Sequence, residues 1–225
     1  IKPKPCKFGD TECIKDVMNY YLKQKNGGEE SINLVPLEPL NIKKTTIKQG
    51  TDSRLSVELT LSNSQGYGLN TVEVYKVKGF HSDLTKQHEI SFKMDKGSII
   101  GNYEVNGRFF FFPINGRGKS NMTIVNSDVI LKFNGTSYKK NGGTYMKVEN
   151  IRIRLNPGRV YFNFENLFNS DKELSNNMNL FLNENWREIF IEMQDSVNKV
   201  YSDIYSEIIT KVFSKFFQSV DQSVN

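Results

Sequence analysis

Apolar and polar residues alternate through the middle of the chain, between about residues 40 and 168. Clear examples are the segments 55–61, 90–94 and 160–164. A period of two places successive side chains on opposite faces of a strand, so this region predicts an antiparallel sheet with one apolar face. The segments expected to form turns between the strands are 63–66, 95–97, 106–107, 134–135 and 141–143.

Helical spacing of apolar residues flanks this region on both sides. Behind Asp10, a natural N-cap, a helical face is predicted that consists of Ile14, Val17, Met18, Tyr21 and Leu22. No glycine or proline occurs from 171 to 218, where apolar residues recur about every 3.75 positions. We predict a single helix over 174–218, about 67 Å long at 1.5 Å per residue. A compact chain of this length is only about 45 Å across, so an elongated molecule is expected.

A long helix with a wide apolar stripe needs a long apolar cover, and the one-sided sheet is the only cover in the sequence. We predict an α+β fold, one elongated domain over 1–225, in which a highly curved antiparallel β-sheet (a super-roll) wraps a long C-terminal helix. The mismatch of curvatures is expected to leave a dry tunnel for an apolar ligand. The residues expected to line this tunnel are Val35, Leu37, Leu55, Val57, Val72, Val74, Phe92, Tyr103, Phe109, Phe111, Val129, Leu131, Phe133, Met146, Phe162, Phe164, Trp186, Met193, Val197 and Tyr201.

Several aromatic residues in this set admit a structural interpretation as well. Trp186 lies on the helical stripe, where an anchor in the core is favoured over a tunnel contact. Tyr103 and Tyr201 could each offer a hydroxyl to a polar ligand end, although a structural role is favoured for both. The four phenylalanines at 109–112 would alternate along a strand, two of them facing the helix and two facing outward.

Composition and charge narrow the class of partners. Hydrophobic residues make up 37% of the chain, which is below the usual globular share, but with 12% aromatic residues the composition is too aromatic and β-branched for a disordered chain. No apolar stretch is long enough for a transmembrane helix. The net charge is +5 with a pI near 9.0, but the basic residues are scattered. A solvated surface is therefore favoured over a polyanion site. We expect a monomer that binds no nucleic acid and makes at most transient contact with membranes.

The two cysteines and two sequons favour secretion. Cys6 and Cys13 are close enough to form a small disulfide loop, although redox-active thiols or a zinc site are alternatives. Asn121 and Asn134 each begin a glycosylation sequon. The N-terminus has no signal-peptide pattern, so we expect a mature chain.

Sequence motifs give little support to catalysis. The chain has no nucleophile elbow, no HExxH motif and no P-loop, and no metal site or cofactor is expected. His81 and His88 flank a polar stretch and are expected at the surface. An esterase that acts on a bound lipid would need a Ser–His pair, for which Ser82 beside His81 is the only local candidate.

Longer segments carry a more specific signal. They are 6–13 (CKFGDTEC), 35–40 (VPLEPL), 68–72 (GLNTV), 101–107 (GNYEVNG), 113–118 (PINGRG), 160–169 (VYFNFENLFN) and 181–186 (FLNENW). Together they resemble the insect takeout family and its relatives, the haemolymph juvenile-hormone-binding proteins, nearly from end to end. The last two segments are the most specific part of the resemblance.

The resemblance implies a fold like that of the tubular lipid-binding superfamily, with a curved antiparallel sheet around one long helix. It also implies secretion into a haemolymph-like extracellular fluid and an internal tunnel for a lipophilic ligand. Juvenile-hormone carriers usually have a second disulfide, which this chain lacks, so it is nearer the takeout branch. Asp195 stands where many takeout relatives carry a proline, so no kink is expected there.

We therefore expect a secreted carrier, not an enzyme, that sequesters an elongated hydrophobic molecule such as a terpenoid, a fatty acid, a quinone or a carotenoid. Apart from this bound lipophilic ligand no cofactor is required. Two alternatives remain open. One is an interaction protein whose groove is filled by side chains, and the other is a lipid esterase.

Overall fold

The structure is a computed structural model that describes residues 3–50, 55–169, 171–216 and 218–219. These residues form three helices and one nine-stranded antiparallel sheet. The helices are α1 (Thr11–Gln24), α2 (Lys172–Glu184) and α3 (Trp186–Phe216), and short 3₁₀ helices cover Glu30–Ile32 and Leu69–Thr71. The strands are β1 (Leu40–Ile42), β2 (Thr45–Lys48), β3 (Leu55–Tyr67), β4 (Val72–Lys78), β5 (His88–Phe109), β6 (Phe112–Lys140), β7 (Gly143–Asn156), β8 (Arg159–Phe164) and β9 (Gln218–Ser219).

Two very long strands organise the sheet. β5 has 22 residues and β6 has 29, and they pair as one hairpin from His88 opposite Phe133 to Phe109 opposite Phe112. At one end of the hairpin β3 pairs with β5 and β8 pairs with β6. At the other end β4 pairs with β5 and β7 pairs with β6. Because α3 contacts strands of both ends, the sheet curves around this helix, and the predicted α+β fold is confirmed.

Four of the five predicted turns lie inside strands. Segment 63–66 lies in β3, where Asn63 has a φ of 48° and the register with β5 shifts. Segment 134–135 lies in β6, next to a similar shift of register with β7. A β-bulge bends a strand without reversing it, and an asparagine in the left-handed conformation, as at Asn63, can form one. Only 141–143 reverses the chain, between β6 and β7.

Gly107 is an example of such an internal position. It lies in β5 with a φ of 142°, and a Cβ atom there would collide with the Ser56 carbonyl oxygen of β3. The glycine therefore permits close strand contact and does not mark a turn.

The single helix predicted over 174–218 is two helices. Asn185 separates α2 from α3, with a φ of −106° and a ψ of 25°. Its side chain donates a hydrogen bond to the Phe181 carbonyl oxygen at 2.8 Å, a local bond of the kind that competes with helix continuation. α3 alone has 31 residues, about 46 Å, and it continues through Asp195 as expected. Residue 217 lies outside the described residues.

Asparagines of α2 complete the free edge of β8. Asn183 accepts a hydrogen bond from the Phe162 N–H at 2.9 Å and donates one to the Phe162 carbonyl oxygen at 2.7 Å. Asn179 makes the same two bonds with Phe164, at 2.9 and 2.8 Å. Four helical residues advance about 6.0 Å and two strand residues about 6.6 Å, so the spacings match. The two side chains thus take the place of a neighbouring strand.

Asparagines of the other two helices also form hydrogen bonds with strands, with two bonds on α1 and one on α3. On α1, Asn19 accepts from the Val74 N–H of β4 and donates to the Val74 carbonyl oxygen, both at 2.8 Å. On α3, Asn198 accepts from the Leu155 N–H of β7 at 3.0 Å. Each helix is therefore fixed to a strand edge by polar contacts in addition to its apolar face.

Candidate functional site

The sheet and α3 border two cavities that follow one another along the helix. The first cavity lies beside residues 189–204 of α3, against β2, β3 and β8, with about 100 Å³ of space for the centre of a water molecule. The second cavity lies beside residues 205–213, against α1, β4 and the start of β5, with about 160 Å³. A single water needs about 10–15 Å³ by this measure, so each cavity is several waters in size.

The lining of both cavities is apolar. In the first cavity Thr45 and Tyr201 carry the only side-chain polar atoms among the described lining residues, and in the second Tyr21 and Tyr205 do. None of the described lining residues is charged. A cavity of this kind disfavours water and ions and favours an apolar molecule.

Many of the residues predicted to line a tunnel contact one of these cavities. The first cavity contains Val57, Phe109, Phe162, Phe164, Met193, Val197 and Tyr201. The second contains Leu37, Val72, Val74, Phe92 and Leu131. Because they come from distant parts of the sequence, it is the curvature of the sheet that brings them together.

Other predicted residues lie elsewhere. Val35 lines a separate pocket whose lining also includes charged side chains, among them Lys43, Asp203 and Glu207. A second group is buried in the core, where sheet and helices are in direct contact, and lines neither cavity: Leu55, Tyr103, Val129, Phe133, Met146 and Trp186. The Tyr103 hydroxyl, for example, donates to the Glu165 carbonyl oxygen at 2.5 Å. The guanidinium groups of Arg159 and Arg187 lie over the Trp186 ring, at 5.5 and 5.2 Å from its centre.

Phe111 requires a correction. It lies at the tip of the β5–β6 hairpin and is 92% exposed, so it lines neither cavity. Phe110 has a φ of 52°, and with Phe111 it forms the turn that ends the two strands. The alternation expected over 109–112 therefore stops after Phe109, and Phe110 packs edge-on against Phe181 of α2 at 5.9 Å.

Sequence reasoning missed part of the lining. Val17, Met18 and Leu22 of α1 close one side of the second cavity. Their helical spacing identified an apolar face, but nothing in the sequence indicated which surface this face would cover. Ile204 and Ile208 of α3 were likewise visible on the helical stripe, without a signal that separates lining from core.

The two histidines differ, and the prediction that both are exposed is wrong for His88. His81 is exposed, whereas His88 is fully buried. His88 accepts a hydrogen bond from the Phe80 N–H at 2.8 Å through Nδ1, and its Nε2 lies 3.1 Å from the Leu84 carbonyl oxygen. Burial lowers the pKa of His88, which favours the neutral ring. Both ring nitrogens are thus engaged by the backbone, which leaves His88 unsuited to activate a serine.

The remaining predicted sites lie outside the cavities. Cys6 and Cys13 form a disulfide, with the sulfur atoms 2.03 Å apart, which joins the N-terminal segment to the first turn of α1. Asn121 is exposed and Asn134 is half-buried. Among the described residues, no three His, Cys, Asp or Glu side chains cluster as metal ligands, and no helix has the length and hydropathy of a membrane span.

The geometry defines a class of protein in which a long helix and a curved antiparallel sheet enclose an apolar interior. The sequence profile of the haemolymph juvenile hormone binding protein (JHBP) family matches residues 1–219. The chain belongs to this family.

Comparison with individual proteins agrees with that membership. The circadian clock-controlled protein daywake of Drosophila melanogaster is 28% identical over 204 residues, 87% of this chain and 77% of daywake. Daywake of Drosophila yakuba is 26% identical over 206 residues, 88% of this chain and 78% of its own length. The crystal structure of Takeout 1 of Epiphyas postvittana has a TM-score of 0.80 at 20% identity and covers 96% of each chain, which shows a shared fold.

Proposed function

We propose that this protein is a secreted carrier that sequesters an elongated hydrophobic molecule between α3 and the sheet. The observation that carries the proposal is the pair of apolar cavities along one helix face. From Ile189 to Phe213 the lining follows α3 for about 36 Å at 1.5 Å per residue. We further propose that the two cavities are parts of one continuous tunnel when a ligand is bound.

The energetics favour a long ligand over a compact one. Each buried CH₂ group contributes about 0.8 kcal/mol, so a chain of 15–20 carbons gains about 12–16 kcal/mol before the costs of association. Those costs are about 4–15 kcal/mol, which leaves room for micromolar binding or better. Terpenoids, fatty acids, quinones and carotenoids are the candidate ligands, and the family's name associates it with juvenile hormone.

Other features support an extracellular carrier. The family is named for haemolymph, and a disulfide persists in oxidising compartments. Cavities larger than one water support a carrier over an interaction protein with a filled groove. The engagement of both His88 nitrogens argues against an esterase that depends on this residue.

A blocked cavity and a matched surface variant test the proposal. Val197 lines the first cavity, whereas Ile191 on the same helix is 62% exposed. Val197→Trp should weaken the binding of a fluorescent fatty-acid probe at least tenfold, while Ile191→Trp should bind it like the wild type. The proposal is wrong if the wild type ignores such probes and also carries no extractable ligand when purified from a secreting cell.

A further inference from the structure

Two tyrosines of α3 lie at the boundary between the first and the second cavity. Tyr201 lines the first, and Tyr205, one helical turn later, lines the second. Their rings are stacked with centres 6.3 Å apart and 19° between the planes, and Phe92 packs against Tyr205 at 6.4 Å. Both residues are half-buried, and each contributes to the wall of one cavity.

The hydroxyl groups of this pair have no hydrogen-bond partner in the part of the chain that the structure describes. Burial raises the pKa of Tyr201 to about 12, and burial together with Tyr201 raises the pKa of Tyr205. Both groups therefore remain protonated donors at neutral pH. The buried Tyr103 differs, because its hydroxyl donates to a backbone carbonyl oxygen. A phenylalanine at 201 or 205 would lack the hydroxyl, which makes no contact with an acceptor among the described residues and is therefore available to a ligand.

The lining of the two cavities determines which kind of ligand atom can accept a hydrogen bond from these hydroxyl groups. Neither cavity has a lysine, arginine or histidine among its described lining residues. A carboxylate would therefore be buried without a counter-ion, which is costly. A neutral oxygen has no such cost, and a carbonyl oxygen has two lone pairs for two donors.

The position of the pair along α3 sets where that oxygen lies in the ligand. The lining extends about 18 Å from Tyr201 back to Ile189, and about 12 Å from Tyr205 on to Phe213, at 1.5 Å per residue. Apolar segments of unequal length can therefore lie on the two sides of the tyrosines.

We propose that Tyr201 and Tyr205 form a recognition site for a neutral oxygen, and that the ligand is an elongated apolar molecule with a ketone, ester, ether or hydroxyl oxygen part-way along its length. This inference rests on the proposed carrier function and specifies the class of ligand. The tyrosines supply orientation and selectivity, while the apolar walls supply most of the affinity.

Displacement of a fluorescent fatty-acid probe by three compounds of equal chain length tests the site. The compounds are a ketone with its carbonyl part-way along the chain, the parent hydrocarbon and the carboxylic acid. The variants are Tyr201→Phe, Tyr205→Phe and the double variant. Tyr138→Phe is the control, because Tyr138 is half-buried and lines neither cavity.

The wild type should bind the ketone more tightly than the hydrocarbon or the acid. Each cavity variant should lose about three- to tenfold in ketone affinity, which corresponds to one hydrogen bond, and keep its hydrocarbon affinity. The infrared band of a ¹³C-labelled ketone carbonyl should shift to lower frequency on binding, and this shift should disappear in the double variant.

The possible failures are distinguishable. If the double variant retains the ketone-to-hydrocarbon ratio and the infrared shift, the oxygen site is refuted and the carrier function stands. Preference for the acid over the ketone refutes the neutral-oxygen class alone. If the wild type binds the probe and none of the three compounds displaces it, the ligand class is wrong. If the wild type neither binds the probe nor carries an extractable ligand, the carrier function fails as well.

Discussion

Replacement of Asn183 by alanine tests how α2 holds the edge of the sheet. The side chain forms both of its hydrogen bonds to β8 with the N–H and the carbonyl oxygen of Phe162. Phe162 also lines the first cavity, and its ring is stacked on that of Phe164 at 6.3 Å. Loss of the amide therefore affects both the stability of the edge and the cavity wall.

The expected cost follows from the groups left without partners. An unpaired buried backbone group costs about 1–3 kcal/mol, and partial access of water reduces this, so two groups cost about 2–4 kcal/mol. For a domain of this size each kcal/mol lowers the thermal midpoint by about 2–4 °C, which gives a decrease of about 4–16 °C. Asn183→Asp keeps an acceptor for the Phe162 N–H but loses the amide donor, so about half of the loss is expected.

Thermal and urea unfolding, with hydrogen exchange at the Phe162 amide, measure both effects. Asn177→Ala is the matched control, because Asn177 is exposed on the same helix and undergoes the same gain in helix propensity. The reasoning is refuted if Asn183→Ala is as stable as Asn177→Ala and the Phe162 amide keeps its wild-type protection.

Three further outcomes follow from the structure. The free energy of unfolding in urea should fall as the pH drops below about 6.5, by up to about 1.4 kcal/mol per pH unit. The reason is that burial lowers the pKa of His88, so the unfolded chain binds a proton at a higher pH than the folded protein does. The His88→Gln variant should show a smaller dependence of stability on pH. Replacement of both Cys6 and Cys13 by serine should lower the free energy of unfolding by about 2.5 kcal/mol, measured as a thermal midpoint about 5–10 °C lower. An unchanged thermal midpoint would contradict this prediction. Phe111→Ser should stay within about 0.5 kcal/mol of the wild type in urea, while Phe109→Ser should lose about 3 kcal/mol or more; equal losses would contradict the placement at the tip.

The periodicities of the sequence predict the fold well because they record burial. The helical stripe of α3 and the alternation in β3 and β8 both exist because one face of each element is covered. Asn63 and Asn134 both lie at shifts of register, and Asn63 has the left-handed conformation, which serves a turn and a β-bulge equally. Local chemistry cannot distinguish the two, since the answer depends on the strand that lies opposite.

The sequence predicts an apolar interior, but it does not identify which individual residues line the cavities. A residue such as Met146 has the same apolar pattern as Met193, yet only Met193 faces a cavity. Whether an apolar side chain lines a space or fills it depends on the curvature of the whole sheet. The edge contacts of Asn179 and Asn183 were also hidden, because nothing in the sequence shows which strand edge a helical asparagine will meet.

Native mass spectrometry of the protein purified from cells that secrete it tests the central claim most directly. The account predicts a mass above that of the glycan-corrected chain by one small organic molecule, which disappears after extraction with organic solvent and returns when the extract is added back. A protein that has only the mass of its own chain, and that takes up no long-chain apolar compound at micromolar concentration, would contradict it.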